Sequence, residues 1–243
     1  MDPVLDLFVG ATFLALVLVP LERVFPARAQ PHLRREIATD LAFLVLQYIV
    51  MAGVLTSVND AVRSWISMPV PPWPLWVRVP LAVLVGDLGL YWGHRLSHAV
   101  PWMWRFHAVH HTARTLDWVA AHREHPLDGI WSQLTFNVPI LLLGLDLEVA
   151  MPLLVLRGVW AAFIHSNVAL PLGPLGLLLG DPALHRRHHA RDAPPANYGN
   201  LAPYLDRLFG THHRPADEAY ALGVPAAPAR GFLALLLSPL EPR

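Results

Sequence analysis

Residues 87–111 read DLGLYWGHRLSHAVPWMWRFHAVHH. An apolar run arrives from about Leu75, and five histidines follow it: His94 and His98 as HxxxH, then His107, His110 and His111 as HxxHH. On a helix, positions i, i+3 and i+4 share a face. Each box is therefore expected to aim two or three imidazoles at one point. A second HxxHH follows at His185-Arg-Arg-His188-His189. Neutral imidazole is the commonest biological metal ligand, and Fe, Cu, Ni and Zn all accept it. With 14 His in 243 residues, an HxxHH triplet arises by chance roughly 0.05 times per chain, and two arise about once per thousand chains. Chance is thus a poor account of the boxes. Eight imidazoles exceed the four ligands of one tetrahedral zinc site, so two metals are the economical reading. No ExxH pair of the carboxylate-bridged bundle type occurs on the apolar segments, and no HExxH zinc-protease motif occurs.

The rest of the chain says where such a site would sit. Hydrophobic residues make up 54%, charged residues 15%, and mean hydropathy is +0.40. Soluble domains carry about 25% charge. So apolar a chain is not disordered, and without Cys it is not a disulfide scaffold. Net charge is +0 with no dense basic tract, which excludes nucleic acid as a partner. The expectation is an all-α, multi-pass membrane protein.

Four apolar regions are expected to enter the bilayer: Leu5 to Pro20, Leu41 to Val58, about Leu75 to Trp92, and Gly129 to Ile164. The last is too long for one helix, and Asn137-Val-Pro139 and Gly144-Leu-Asp146 suggest a hairpin. A weaker stretch, Val168 to Gly180, suits the interface. All 18 basic residues are Arg. Arg23, Arg28, Arg34 and Arg35 follow the first span, whereas little besides Arg63 follows the second. The positive-inside rule then puts the first loop in the cytoplasm, and returns His94 to Arg123, His165 and everything after Asp181 to that side. Every clustered His falls on one face, beneath a helical cap. Trp73, Trp76, Trp92, Trp102 and Trp104 lie near proposed span ends, as an aromatic belt would.

With these pieces in order (DLGLYWGHRLSH, WRFHAVHH, HREHPLDG, FIHSN, HRRHH and NYGNLAPYLDRLFGT), the chain resembles the fatty acid hydroxylase/sterol desaturase superfamily of membrane di-iron oxygenases from about Asp87 to Thr211. The resemblance implies that His94, His98, His107, His110, His111, His185, His188 and His189 bind two Fe ions, with zinc able to replace iron in a purified sample. His165 of FIHSN and His125 of HPLDG match further His positions of the family and join the metal set. It also implies O2 as co-substrate and a membrane lipid, sterol-like or acyl/alkyl, hydroxylated or desaturated at a C–H bond. Electrons are expected from an external ferredoxin or cytochrome b5-like reductase system, since no fused cytochrome b5 domain is present. Ala169 stands where some fatty acid hydroxylases have a further His, which leans toward the sterol-desaturase-like branch. The expected organisation is N-terminal membrane helices over 1–80, a catalytic domain over 81–215 and a tail over 216–243, in a bacterial inner membrane.

Several residues stand near the boxes. Asp87, two helical turns before His94, could accept the free ring N–H of a ligating His, and Tyr91 lies on the same stripe. Asn167 could orient a ligand or cap a helix. Arg157, a charge inside the hairpin, is expected to pair with Asp146 or Glu148, or with a polar substrate head. Asp206-Arg207 would form a surface pair or tie the tail to the cap. His122 could join the cluster; His212 and His213 are expected to be solvated and His32 interfacial. The alternative function is a histidine-rich metal-binding or metal-transport protein. Transport sites, however, sit near the bilayer midplane, and these histidines fall outside the spans.

Overall fold

A computed structural model describes residues 3–31, 33–65, 68–145, 147–224 and 231–241. His32 and Asp146 lie outside the described residues, as does the side chain of Glu148. Among the described residues the fold is all-α, with no strand and only two isolated bridges, Pro26 with Val168 and Ala190 with Leu222. The helices are α1 (Pro3–Val24), α2 (Ile37–Trp65), α3 (Leu75–Ala99), α4 (Pro101–His111), α5 (Pro126–Leu142), α6 (Leu147–His165), α7 (Pro182–His188), α8 (Pro203–Leu208) and α9 (Phe232–Leu237).

Two helices are long and apolar enough to cross a membrane, Val4–Val24 and Leu75–Ala99; Ile37–Val50 and Val155–His165 are shorter apolar stretches. Phe8 is 68% and Leu16 72% exposed on α1. Such a face is lipid-facing rather than wet. With a chain this apolar and these helices, the protein is a membrane protein. The expected hairpin is present as α5 and α6. Its break falls where the second of the two expected interruptions stands, at Leu143–Leu145, with Gly144 at φ +67. Asn137 and Pro139 interrupt nothing: Pro139 sits within α5. A proline leaves one carbonyl without its donor, and apolar packing on α3 tolerates it here.

α3 and α5 form the tightest pair. A Cβ on Gly89 would overlap the Thr135 carbonyl, and one on Gly93 would overlap the Thr135 side chain. Small residues at these two turns let the backbones approach, as in membrane helix pairs generally. Trp131 Nε1 donates to the Gly93 carbonyl at 3.1 Å across the same contact. α3 also runs past Trp92 without a break, so one rigid rod carries His94 and His98 beyond the apolar segment.

A strap between α1 and α2 closes the molecule. Asn167 grips it from both sides: its Oδ1 accepts from Arg28 N at 3.0 Å and its Nδ2 donates to Arg28 O at 2.8 Å. Next to it lies a buried charge network. Arg34 forks onto Asp117 at 2.6 and 2.7 Å, and both Arg34 and Arg123 pair with Asp40, which is fully buried. Arg123 also meets Glu36 at 3.0 Å. Removing one partner from such a set strands a buried charge and costs about 3–5 kcal/mol. Arg186, between the histidines of the last box, forks onto Glu218 at 2.6 and 2.7 Å and donates to the Ser166 carbonyl at 3.0 Å. The arginines that counted toward sidedness are thus partly internal struts of the fold.

Candidate metal centre

Nine imidazoles converge in two adjoining groups. His94, His98, His107, His111 and His188 form the first, and His110, His165, His185 and His189 the second, with the potential donor atoms of each within 4.8 Å of one another. The rings of His111 and His189 stack across the boundary at 4.3 Å. Each HxxHH box is therefore divided, against the expectation that it aims at one point. Residues i and i+4 lie about 40° apart around a helix, whereas i+3 lies about 60° the other way. So His107 and His111 stay together and His110 turns to the second group; His185 and His189 stay together and His188 turns to the first. One short helix serves two sites.

The hydrogen bonds decide what these groups can hold. In the first group, His94 Nδ1 is 2.8 Å from the Tyr198 carbonyl and His107 Nδ1 is 2.8 Å from Asp128 Oδ2. A carbonyl or carboxylate only accepts, so each Nδ1 carries the proton. In the neutral rings both Nε2 atoms are then bare lone pairs, yet they lie 3.2 Å apart. The second group repeats this: His110 Nδ1 donates to the Arg123 carbonyl at 3.1 Å, His165 Nδ1 to the Ala161 carbonyl at 2.6 Å, and the two Nε2 atoms face each other at 3.1 Å. Facing lone pairs repel unless a cation lies between them. Nε2 spacings of 2.8–3.2 Å across both groups suit adjacent ligands at about 2.1 Å from one ion, whose right-angle edge is about 3.0 Å. Burial, reinforced by neighbouring imidazoles, holds His110, His111, His185, His188 and His189 well below the ordinary histidine value. They stay neutral, as ligands must. The donor set fits two metal ions.

Other expected residues lie elsewhere. His125 enters neither group: it caps α5, accepting from Leu127 N at 3.2 Å, and packs on Phe106. Asp87 contacts no imidazole. It pairs with Arg157, which settles the partner of that buried cation, and accepts from Tyr204 Oη at 2.9 Å. Two turns along a helix is about 10 Å, beyond a carboxylate's reach. Tyr91 meets Thr211 Oγ1 at 2.9 Å and stacks on Phe209, and Asn167 holds the strap. His122 lies outside both groups.

Asp128 was not singled out by its sequence. It sits in the first turn of α5, three residues after the capping His125, where a first-turn carboxylate is ordinary. Only the α4–α5 packing brings it to His107. Asp206, fully buried, accepts from Tyr198 N at 2.7 Å, Gly199 N at 2.9 Å and Thr211 Oγ1 at 2.7 Å. It fixes the loop whose Tyr198 carbonyl orients His94. Asp206 is therefore no surface carboxylate, against the surface-pair reading of Asp206-Arg207.

A chamber of about 230 Å3 opens beside both groups, lined by His94, His107, His110 and His165. Glu124, also on its wall, accepts from Gln47 Nε2 at 2.9 Å; burial, with Asp128 nearby, pushes its carboxyl well above the usual range. Gly158 lines this chamber and also a groove of about 380 Å3 between α1, α2 and α6, whose wall is mostly apolar. A larger cavity of about 700 Å3, by Arg28 and Trp118, touches none of the nine imidazoles. Donor chemistry, not size, marks the site.

Comparison with known proteins agrees. The fatty acid hydroxylase family profile matches residues 79–211. An ornithine lipid hydroxylase of Rhizobium tropici is 36% identical over 70% of this chain and 52% of its own length. The human alkylglycerol monooxygenase is 34% identical over 58% of this chain and 31% of its own. A Delta(7)-sterol-C5(6)-desaturase of Nicotiana tabacum is 29% identical over 58% and 52%. The chain thus spans about half the length of the first of these and a third of the second. No solved structure matches. A profile covering more than half of the chain, all nine converging histidines among its residues, places this protein in the fatty acid hydroxylase family.

Proposed function

We propose that the protein is an O2-dependent di-iron lipid hydroxylase or desaturase acting on a C–H bond of a membrane lipid. The carrying observation is the pair of imidazole groups sharing one chamber that adjoins an apolar groove at Gly158. His94, His98, His107, His111 and His188 would hold one ion, and His110, His165, His185 and His189 the other. Bound there, two iron ions supply the activation of O2 and the oxidising power needed to break an unactivated C–H bond.

The chain's own residues do the rest. Asp128 and four carbonyls keep the Nδ1 protons of His94, His107, His110, His165 and His188 in place, so these five Nε2 lone pairs are aimed before metal arrives. The groove receives the lipid from the bilayer, and its apolar wall keeps water from the reacting carbon. Leu90, Phe136 and Ala161 supply apolar surface within the chamber.

The remaining organisation follows the same reading. The α1, α2 and α3 helices and the α5–α6 hairpin make four membrane-embedded units. The segments after His98, His111 and Asp181 form a cytoplasmic cap, on the side with excess Arg. Residues 1–80 anchor, 81–215 carry the chemistry and 216–243 brace it. The setting is a bacterial inner membrane, with electrons from a separate ferredoxin or cytochrome b5-like system.

The test is lipid mass spectrometry on membranes with the wild-type chain against membranes with His110→Ala. Gain of one oxygen or loss of two hydrogens, present only with wild type, is expected. Identical lipids in the two membranes would sink the reading.

A further inference from the structure

The cavity of about 700 Å3 by Arg28 and Trp118 shares no lining residue with the chamber or with the apolar groove. Its wall is built from the last turns of α1, the strap, the first turns of α2, and the segments around Trp118 and Asn167. Four charged side chains line it: Glu22, Arg23, Arg28 and Asp117. Two are already engaged. Arg28 donates to the Tyr220 carbonyl at 2.9 Å and the Glu218 carbonyl at 2.7 Å, and Asp117 takes the Arg34 fork. The other two are not. Arg23 is exposed and meets no acid among the described residues. Glu22 Oε1 accepts from Trp118 N and Asn167 N, each at 3.0 Å, while Oε2 takes no hydrogen bond and stays accessible. Gln30 is placed alike: its Nε2 donates to the Leu116 carbonyl at 3.0 Å, and its Oε1 is left accessible.

One cation and two acceptors are therefore left over on the wall of one cavity. A phosphate fits the first, because a guanidinium offers it paired N–H donors. A primary ammonium fits the other two, because it brings a positive charge to the carboxylate and three N–H donors for Oε2 and the amide oxygen. A quaternary ammonium would bring the charge without a donor. The two leftover charges cancel, so a ligand carrying one of each sign leaves neither unmatched. Much of the remaining wall is apolar. Val19 and Leu41 belong to the apolar stretches Val4–Val24 and Ile37–Val50, and Leu33 and Leu41 are exposed. A small soluble zwitterion would leave that surface uncovered, whereas acyl chains would cover it.

We propose that this cavity binds a phospholipid whose headgroup carries a primary amine, with its phosphate on Arg23 and its ammonium between Glu22 and Gln30. It is a resident lipid, separate from the one that is oxidised, and its binding does not depend on the oxygenase reading. Glu22 also holds the Asn167 backbone two residues past His165, and Gln30 belongs to the strap that Asn167 grips. The headgroup thus ties the end of α1 and the strap to the segment that follows α6.

The test is native mass spectrometry of the full delipidated chain, titrated with phosphatidylethanolamine, phosphatidylcholine and phosphatidylglycerol of identical acyl chains. Wild type is expected to bind the ethanolamine lipid about tenfold more tightly than either of the others, the worth of one charge-assisted hydrogen bond. Glu22→Gln keeps an oxygen for the two backbone N–H groups but turns a donor toward the ammonium, and should abolish the preference. Arg23→Gln should weaken all three lipids about tenfold and keep their order, because the phosphate is common to them. Arg35→Gln, an exposed cation that does not line the cavity, should change nothing. Free phosphoethanolamine should bind about a hundredfold more weakly than the lipid, since it covers no apolar wall. Equal affinity of wild type for the three lipids overturns the proposal, and that comparison needs no variant to fold. So does a preference that survives in Glu22→Gln, or an equal loss in Arg23→Gln and Arg35→Gln. Free phosphoethanolamine binding as tightly as the lipid overturns the assignment to a lipid.

Discussion

The two imidazole groups share donors of one chemical kind but differ in what stands behind the rings. In the first, His94 and His188 lean on backbone carbonyls, and His107 leans on a buried carboxylate. In the second, His110 and His165 lean on carbonyls, while the Nδ1 atoms of His185 and His189 are buried without a partner. A carboxylate behind a ligating imidazole makes it more basic and fixes its tautomer. The ion proposed for the first group is therefore expected to be held more tightly than the one proposed for the second. Nε2 spacings in the two groups are alike; the first has five rings to the second's four, and the outer contacts add to that difference.

Breaking either group outright gives the largest effect. His107→Ala and His110→Ala are each expected to reduce lipid oxidation to background and to lower bound metal from two ions per chain toward one, read by elemental analysis of purified protein. Two ions retained in either variant would show that the groups are not separate sites. A gentler probe is removal by chelator. Metal is expected to leave in two phases, the faster being lost in His110→Ala because that variant lacks the weaker site. A single phase in wild type would erase the contrast between the groups. Asp87→Asn tests the scaffold beneath them. It leaves the Arg157 cation without its buried partner and is expected to destabilise by about 3–5 kcal/mol. Metal stoichiometry in whatever remains folded should not change.

Much of this was legible in the residues themselves. Box spacing named eight of the nine converging histidines, because HxxxH and HxxHH need no tertiary information to be recognised, and the ninth, His165, came from the resemblance of FIHSN to the family. Hydropathy found α1, α2, α3 and the α5–α6 hairpin for a similarly local reason. What escaped needed the third dimension. The division of each HxxHH box depends on where α3, α6 and α7 sit around α4. Asp128 looks like an ordinary first-turn carboxylate until α5 packs beside α4. Asp87 looked like a partner for His94 because they share a stripe, but two turns of rise separate them, and Arg157 from another helix takes the carboxylate. The arginines read as sidedness signals also serve inside the protein: Arg34, Arg123 and Arg186 are buried and paired. Sequence composition reports their number but not their partners.

Asp128→Asn sharpens the comparison between the groups. The amide keeps the size of the carboxylate but loses its charge. Affinity of the first site is expected to fall by about 10–100-fold, the usual effect of losing such a support, with the second site unchanged. The slow chelation phase should approach the fast one. If the slow phase keeps its rate, the carboxylate is not what separates the groups.

Tyr91→Phe is the smallest change and the cleanest control. The hydroxyl meets Thr211 Oγ1 and Arg95, while the ring packs among Tyr198, Trp92 and Phe209. Phenylalanine keeps the ring and loses one hydrogen-bonding group, so stability should drop by about 0.5–1.5 kcal/mol. Tyr198 still takes its backbone bond to Asp206, and its carbonyl still faces His94. Both chelation phases should therefore match wild type within error. A faster slow phase in Tyr91→Phe would mean that the ring and its hydroxyl help seat the Tyr198 carbonyl behind His94, and that orientation of the first group reaches one layer further out than Asp206.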